Sequence, residues 1–100
     1  MKERDATSLA FDRELGKKIR ECRLSMGLSQ GDVVAKLQLE GVDICRQIYA
    51  KIEDGLRPAY PMELVHLIEI LNIDVLYFAA NFTSSIRPIW GVGKRSVNRQ

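Results

Sequence analysis

The chain has two cysteines and one histidine among its 100 residues, and this scarcity argues against most metal and disulfide chemistry. Cys22 and Cys45 lie far apart in sequence and form no CxxC pair, and His66 has no histidine or cysteine at ligand spacing. Protein zinc sites are built mainly from such side chains at close spacing. We therefore predict reduced thiols, no metal site and no cofactor.

Long apolar runs are also missing. No run approaches the ~20 residues that a membrane-spanning helix needs, and residues 1–14 are charged throughout, without the apolar segment of a secretory signal. These absences predict a cytoplasmic protein that does not enter a membrane. The sequence has no nucleophile elbow and no clustered carboxylates beside its single histidine, so we predict that the protein is not an enzyme.

The net charge of +2 is unevenly distributed along the chain. Residues 15–82 carry eight basic and nine acidic side chains, whereas residues 83–100 carry four basic side chains and no acidic one. The middle of the chain is therefore slightly acidic. A positive surface on it must come from the arrangement of charges and not from an excess of them.

Apolar residues at helical spacing predict four or five helices, a size and content that suit one compact domain. The first helix is expected to begin near Phe11, and the link between the second and third helices contains Gly41, which can take a positive φ. The apolar positions of the five segments are, in order, Leu15, Ile19, Cys22 and Met26; Val33, Val34 and Leu37; Ile48 or Tyr49, with Ile52; Leu64, Leu67, Ile68 and Leu71; Val75, Leu76, Phe78 and Ala79.

Capping residues define most of the helix boundaries. Gly27 suits the end of the first helix, and Ser29 with Asp32 forms a capping-box pattern for the second. Asp43 or Cys45 begins the third helix, Gly55 ends it, and Pro61 suits the first turn of the fourth. Asp74 caps a short fifth helix.

Both ends of the chain lack this periodicity. We assign residues 1–10 to an N-terminal arm, residues 11–82 to the helical domain and residues 83–100 to a basic C-terminal tail. Ile86, Ile89 and Trp90 lie among Pro88 and Gly91, so the tail is either a frayed flexible end or a strand-like arm that packs on a second copy.

The second and third helices have the features of a pair that reads duplex DNA. A recognition helix must be short, anchored from behind by apolar residues and exposed in its N-terminal half. Arg46 and Gln47 at the start of the third helix can pair with guanine and adenine edges. Ser29 and Gln30 begin the preceding helix, whose free N–H groups favour a phosphate.

Three groups of residues carry a family resemblance: Leu28-Ser29-Gln30, then Ala35-Lys36-Leu37, then the run from Lys51 to Pro58. Together with flanking positions from Leu15 to Ile73, they resemble the Cro and phage-repressor (Xre-type) helix-turn-helix family. The resemblance implies a compact all-α, five-helix domain of lambda-repressor-like type. Such a domain binds double-stranded DNA, usually as a homodimer on a two-fold-symmetric operator.

The resemblance also implies roles for individual residues. Gln30 would contact a phosphate and brace the recognition helix, and Arg57 would hold the DNA backbone. Glu53 would form a structural ion pair with Arg20 or Arg23. The residues implied to lie in or beside the major groove are Arg46, Gln47, Ala50 and Lys51.

This chain departs from the family pattern at three places. The link at residues 38–42 is longer than the usual tight turn, and it sets the angle of the recognition helix. Tyr49 stands where a small aliphatic residue is common, so its hydroxyl would need a partner when buried. Pro61 replaces an acidic capping residue of the fourth helix.

These observations predict a sequence-specific DNA-binding transcriptional regulator, a small repressor of bacterial or phage type. The alternative is an antitoxin or adaptor that uses the same fold to bind a protein, with the apolar and basic tail as the contact.

Overall fold

The computed structural model describes the backbone of residues 5–90 and the side chains of residues 5–84. Within this part the chain forms five α-helices and no strand, which confirms the predicted all-α, five-helix class. None of the described helices combines the length and the apolar composition needed to cross a membrane. The helices are α1 (Ala6–Ser25), α2 (Gln30–Leu39), α3 (Arg46–Glu53), α4 (Pro61–Leu71) and α5 (Val75–Trp90).

Helix α1 begins five residues earlier than predicted. Asp5 is its N-cap, and the Asp5 carboxylate accepts the backbone N–H of Ser8 at 2.7 Å. Leu9 is exposed, so this first turn depends on the cap and not on burial. Residues 6–10 therefore belong to α1, and the periodicity that predicts a start at Phe11 marks only where burial begins.

The core lies where α1 packs against α3, α4 and α5, with α2 packed on α3 and α4. Most predicted apolar positions of α1 to α4 are buried, whereas Val75, Leu76 and Ala79 of α5 are exposed. Tyr49, not Ile48, is the fully buried member of its pair. Met26 is wrong as a core residue, because α1 ends at Ser25 and Met26 is half exposed at the cap. The buried apolar side chains are Leu15, Ile19, Val33, Val34, Leu37, Ile44, Tyr49, Ile52, Leu67, Leu71 and Ile73.

A close backbone contact holds α1 against α3. A Cβ placed on Gly16 would lie 2.5 Å from the carbonyl oxygens of Ile52 and Glu53, well inside contact distance. Only glycine allows the two helices to approach this closely. Gly16 of α1 therefore helps to determine the position of the C-terminal end of α3.

The long link between α2 and α3 is an ordered connection. Gly41 takes the left-handed conformation after α2 (φ 87°), and the Val42 N–H donates to the Leu37 carbonyl at 2.9 Å. Ile44 is buried, and the Gln38 side-chain amide donates to its carbonyl at 3.0 Å. These contacts determine where α3 begins, with Cys45 as its N-cap.

Helix α5 is longer than the short helix that the sequence predicts. Asp74 caps it as predicted, accepting the Tyr77 N–H at 3.0 Å, but the helix continues through Ser84 to Trp90. A flexible or strand-like structure is therefore wrong for residues 83–90, because polar residues such as the exposed Ser84 are compatible with the solvent side of a helix. Residues 1–4 and 91–100, with the rest of the tail assignment, lie outside the described residues.

Candidate nucleic-acid interface

Helix α3 separates its side chains into an anchored set and an exposed set. Tyr49, Ile52 and Glu53 are buried, whereas Arg46 and Gln47 in the first turn are exposed. Ala50 is half-buried and Lys51 is exposed. The predicted groove-facing residues thus share the outer side of α3, and the residues behind them hold the helix to the domain.

A hydrogen-bond network centred on Glu53 holds α3 in place. Arg23 of α1 donates from Nε to Glu53 Oε2 at 2.7 Å and from Nη2 to Oε1 at 3.0 Å. Gln30 of α2 donates from Nε2 to Oε1 at 3.1 Å, and the Tyr49 hydroxyl donates to Oε2. The structure therefore selects Arg23 over Arg20 as the partner of Glu53 and supplies the partner that the buried Tyr49 hydroxyl requires.

This network favours the ionised carboxylate. Burial would raise the pKa of Glu53, but the hydrogen bonds from Arg23, Tyr49 and Gln30 outweigh it and hold the pKa below its ordinary value. The hydrogen bond to Glu53 raises the pKa of Arg23, and burial raises that of Tyr49. At neutral pH, Glu53 is thus a buried anion paired with a cation, and the ends of three helices are tied to one charge.

Gln30 braces α3, as the resemblance implies. Its amide nitrogen carries two protons. One donates to Glu53, which leaves the other N–H to donate to a phosphate oxygen. Contact with a phosphate stays a prediction. Gln30 follows Ser29, which caps α2 by accepting the Asp32 N–H at 3.0 Å.

An open cleft of about 590 Å³ lies where the C-terminal part of α1 meets the first turns of α2 and α3. A smaller groove of about 250 Å³ adjoins it and is lined by Gln30, Arg46, Gln47 and Ala50. Gln30 and Arg46 line both. The structure thus brings four predicted DNA-binding residues together; Lys51 lies one turn after Gln47 on α3. The larger cleft is lined by Arg20, Arg23, Ser29, Gln30, Gly31 and Arg46.

Arg20 is a candidate contact that the sequence prediction missed, since it was considered only as a partner for Glu53. It is exposed and lines the larger cleft with Arg46. The available signal was the spacing of Arg20 and Arg23, because residues three apart lie on the same side of a helix. The buried Arg23 binds Glu53, and the exposed Arg20 lines the cleft.

Arg57 is placed differently from the other predicted site residues. It lines neither cleft, and its guanidinium donates to both carboxylate oxygens of Glu63, at 2.8 and 3.0 Å, and to the Pro58 carbonyl at 3.2 Å. The guanidinium carbon lies 4.1 Å from the centre of the Tyr60 ring. These hydrogen bonds use three of the five guanidinium N–H donors, and the phosphate contact of Arg57 stays a prediction.

Glu63 supplies the acidic cap that is missing at Pro61. Its carboxylate accepts the Tyr60 N–H at 2.8 Å at the start of α4 and also binds Arg57. Burial would raise the pKa of Glu63, but the hydrogen bonds from Arg57 and from the Tyr60 N–H hold it below the ordinary value. The start of α4 is therefore fixed by an acid at the third helical position.

Comparisons with protein-family models, curated proteins and solved structures return no match for this chain. The functional assignment therefore depends on the residues themselves and on their geometry.

Proposed function

We propose that the protein is a sequence-specific, duplex-DNA-binding transcriptional regulator, a small bacterial or phage-type repressor of the Xre-type helix-turn-helix family, acting in the cytoplasm. One observation carries the proposal: α3 is short and locked from behind by Glu53, while Arg46 and Gln47 in its first turn face solvent. A DNA-reading helix needs this combination of rigid support and exposed hydrogen-bonding side chains.

In this proposal α3 enters the major groove by its N-terminal half. The Arg46 guanidinium can donate two hydrogen bonds to guanine, at O6 and N7. The Gln47 amide can form two hydrogen bonds with adenine, at N6 and N7. Ala50 is small enough to allow close approach to a base edge, and Lys51 supplies a further positive charge. These four side chains are the proposed base-reading set.

The cleft beside α3 is the proposed phosphate site. Arg20 and Arg46 supply positive charge there, and the first turn of α2 supplies backbone N–H groups. Gln30 lies between this cleft and the groove-facing surface, so it can touch a phosphate while bracing α3 through Glu53.

We further propose that the protein acts as a homodimer on a two-fold-symmetric operator. The start of α5 exposes apolar side chains that a second copy could cover: Val75 is 45%, Leu76 84% and Tyr77 61% exposed. A single five-helix domain reads few base pairs, and a second copy doubles the contact with DNA.

Selection from random duplex DNA tests function and symmetry together. We expect an enriched sequence whose two halves are related by a two-fold axis. We also expect affinity for it to fall as salt rises, with a logarithmic slope of about 0.9 per neutralised phosphate. A selection without enrichment, or a slope near zero, would contradict groove binding.

The exposed apolar start of α5 also favours the second candidate, an antitoxin or adaptor. In that case this surface, with the basic tail, contacts a different protein. Deletion of residues 86–100 separates the two functions. A partner-binding tail predicts loss of a protein complex with DNA affinity retained. A tail that completes the homodimer predicts a halved oligomer mass and weaker operator binding, whereas a homodimer held by Val75, Leu76 and Tyr77 alone keeps its mass.

A further inference from the structure

A cluster of possible metal-ligating side chains lies outside the α3 surface, where the C-terminal end of α2 meets α4. We propose that Glu40, His66 and Glu69 bind one divalent transition-metal ion, with Zn²⁺ as the representative case. One ligand atom from each of the three side chains lies within 4.8 Å of the others. None of the three belongs to the proposed DNA-binding set, so this site is independent of the proposed function.

The distance between His66 and Glu40 suits a shared metal ion better than a hydrogen bond. His66 Nδ1 and Glu40 Oε1 are 3.5 Å apart, longer than the usual hydrogen-bond range of about 2.7–3.2 Å. Two ligands about 2.1 Å from a tetrahedral zinc ion are separated by about 3.4 Å. His66 and Glu69 are three residues apart on α4 and therefore lie on one side of that helix.

The Nδ1 atom of His66 is an independent indication of a ligand. It is inaccessible to solvent and has no hydrogen-bond partner among the described residues. Buried polar atoms are nearly always paired, so such an atom calls for an explanation such as an ion. Coordination through Nδ1 would satisfy it.

The local electrostatics also favour a cation. Glu40 is the C-cap of α2, whose last turn also carries the basic Lys36, and Glu69 lies in the last turn of α4, where no basic side chain is present. Helix C-termini carry partial negative charge, so the Glu69 carboxylate lies in an unfavourable electrostatic field that a bound cation would offset.

The ligand types indicate the class of metal. Imidazole is a ligand for zinc, copper, iron and nickel, whereas Mg²⁺ and Ca²⁺ prefer oxygen-only sites. The Glu40 side chain is half exposed, which leaves room for water as a fourth ligand. A bound ion would join the end of α2 to α4 and stabilise the folded state by mass action.

The sequence prediction of no metal site considered only spacing along the chain. Glu40 and His66 are far apart in sequence and meet only because α2 packs on α4. Their proximity is a product of tertiary structure.

NMR of the imidazole group gives a direct test, because His66 is the only histidine. Zn²⁺ is titrated into the full chain without an affinity tag, in a Cys22→Ala/Cys45→Ser background that removes the thiol ligands. We expect the His66 nitrogen signals to change and to saturate at one equivalent. Signals that stay unchanged at several equivalents would overturn the proposal.

Calorimetry in the same background assigns the ligands. His66→Gln and Glu69→Gln should each weaken Zn²⁺ binding by about tenfold or more, since even supporting residues of metal sites contribute about 10–100-fold. Glu21→Gln removes an exposed carboxylate from α1 and should leave binding unchanged. Equal affinity of the His66→Gln variant and its parent, with both shown to be folded by circular dichroism, would refute the site.

Discussion

The two arginine–glutamate pairs of this domain have similar chemistry but different roles. Arg23 and Glu53 are thirty residues apart, and their side chains are 8% and 0% exposed. Arg57 and Glu63 are six residues apart and 19% and 10% exposed. The first pair ties α1 to α3 and, through Gln30, to α2, whereas the second caps α4 locally. The comparison shows that a long-range pair orients the proposed recognition helix, while a short-range pair orders one helix start.

Loss of the Glu53 charge should have the largest effect on stability. Glu53→Gln leaves the Arg23 guanidinium buried without its anion, and breaking such a pair costs about 3–5 kcal/mol. Chemical denaturation followed by circular dichroism measures the change. Glu21→Gln, an exposed acid on α1, is the matched control and should change stability by less than about 0.5 kcal/mol. Equal effects of the two substitutions would refute the anchoring role of Glu53.

Gly16→Ala should have the next largest effect, because the added Cβ would lie 2.5 Å from two carbonyl oxygens of α3. Overpacking of this kind costs about 1–3 kcal/mol. Gly31→Ala is the matched control: its Cβ would meet only the Ser29 hydroxyl at 3.7 Å, and alanine favours a helix over glycine, by up to about 1 kcal/mol in a helix interior. The two substitutions should therefore have opposite signs in thermal denaturation, and a stabilising Gly16→Ala would contradict the close approach.

Glu63→Gln should cost less than Glu53→Gln, about 1–2 kcal/mol, because the Arg57–Glu63 pair is partly exposed and local. The substitution should leave α3 and its DNA-facing surface intact. Denaturation and operator binding measured on one preparation test both statements. A larger loss of stability than that of Glu53→Gln would reverse the ranking of the two pairs.

Acid should weaken both pairs. The pKa values of Glu53 and Glu63 are lowered in the folded state, so each adds stability that is present above the unfolded glutamate pKa of about 4.3. That stability is lost as the pH falls through the lower folded-state values. The free energy of unfolding should therefore change little between about pH 7 and 5 from these groups and fall below that range. Glu53→Gln should reduce the acid-dependent loss, and an unchanged pH profile in this variant would contradict an ionised Glu53.

The contrast between local and long-range contacts also separates the structural features that the sequence predicts from those it does not. Helices α2, α3 and α4 follow from apolar spacing and capping residues, because those signals are local. The Glu53 ion pair follows from the family resemblance, but the sequence does not decide whether Arg20 or Arg23 is the partner of Glu53. The choice depends on which arginine faces α3 after packing, and that is a tertiary property.

Other features depend on single contacts that periodicity does not record. The first turn of α1 is set by Asp5 and its bond to Ser8, and the start of α4 by Glu63. The resemblance implies that Arg57 contacts the DNA backbone, which stays a prediction, whereas the bond of its guanidinium to Glu63 is a contact that the sequence pattern does not record. The exposed side of α3 was predictable because the helix is short and its buried residues all lie on the opposite side.

Operator binding by Arg46→Ala tests the central claim most directly. Arg13→Ala, which removes an exposed arginine that lines neither cleft, is its matched control. In fluorescence anisotropy with the selected operator, Arg46→Ala should weaken binding by about 1–3 kcal/mol and relax sequence preference at one position in each half-site. Arg13→Ala should keep both affinity and preference. Wild-type binding by Arg46→Ala, Gln47→Ala and Lys51→Ala alike would show that α3 does not read DNA.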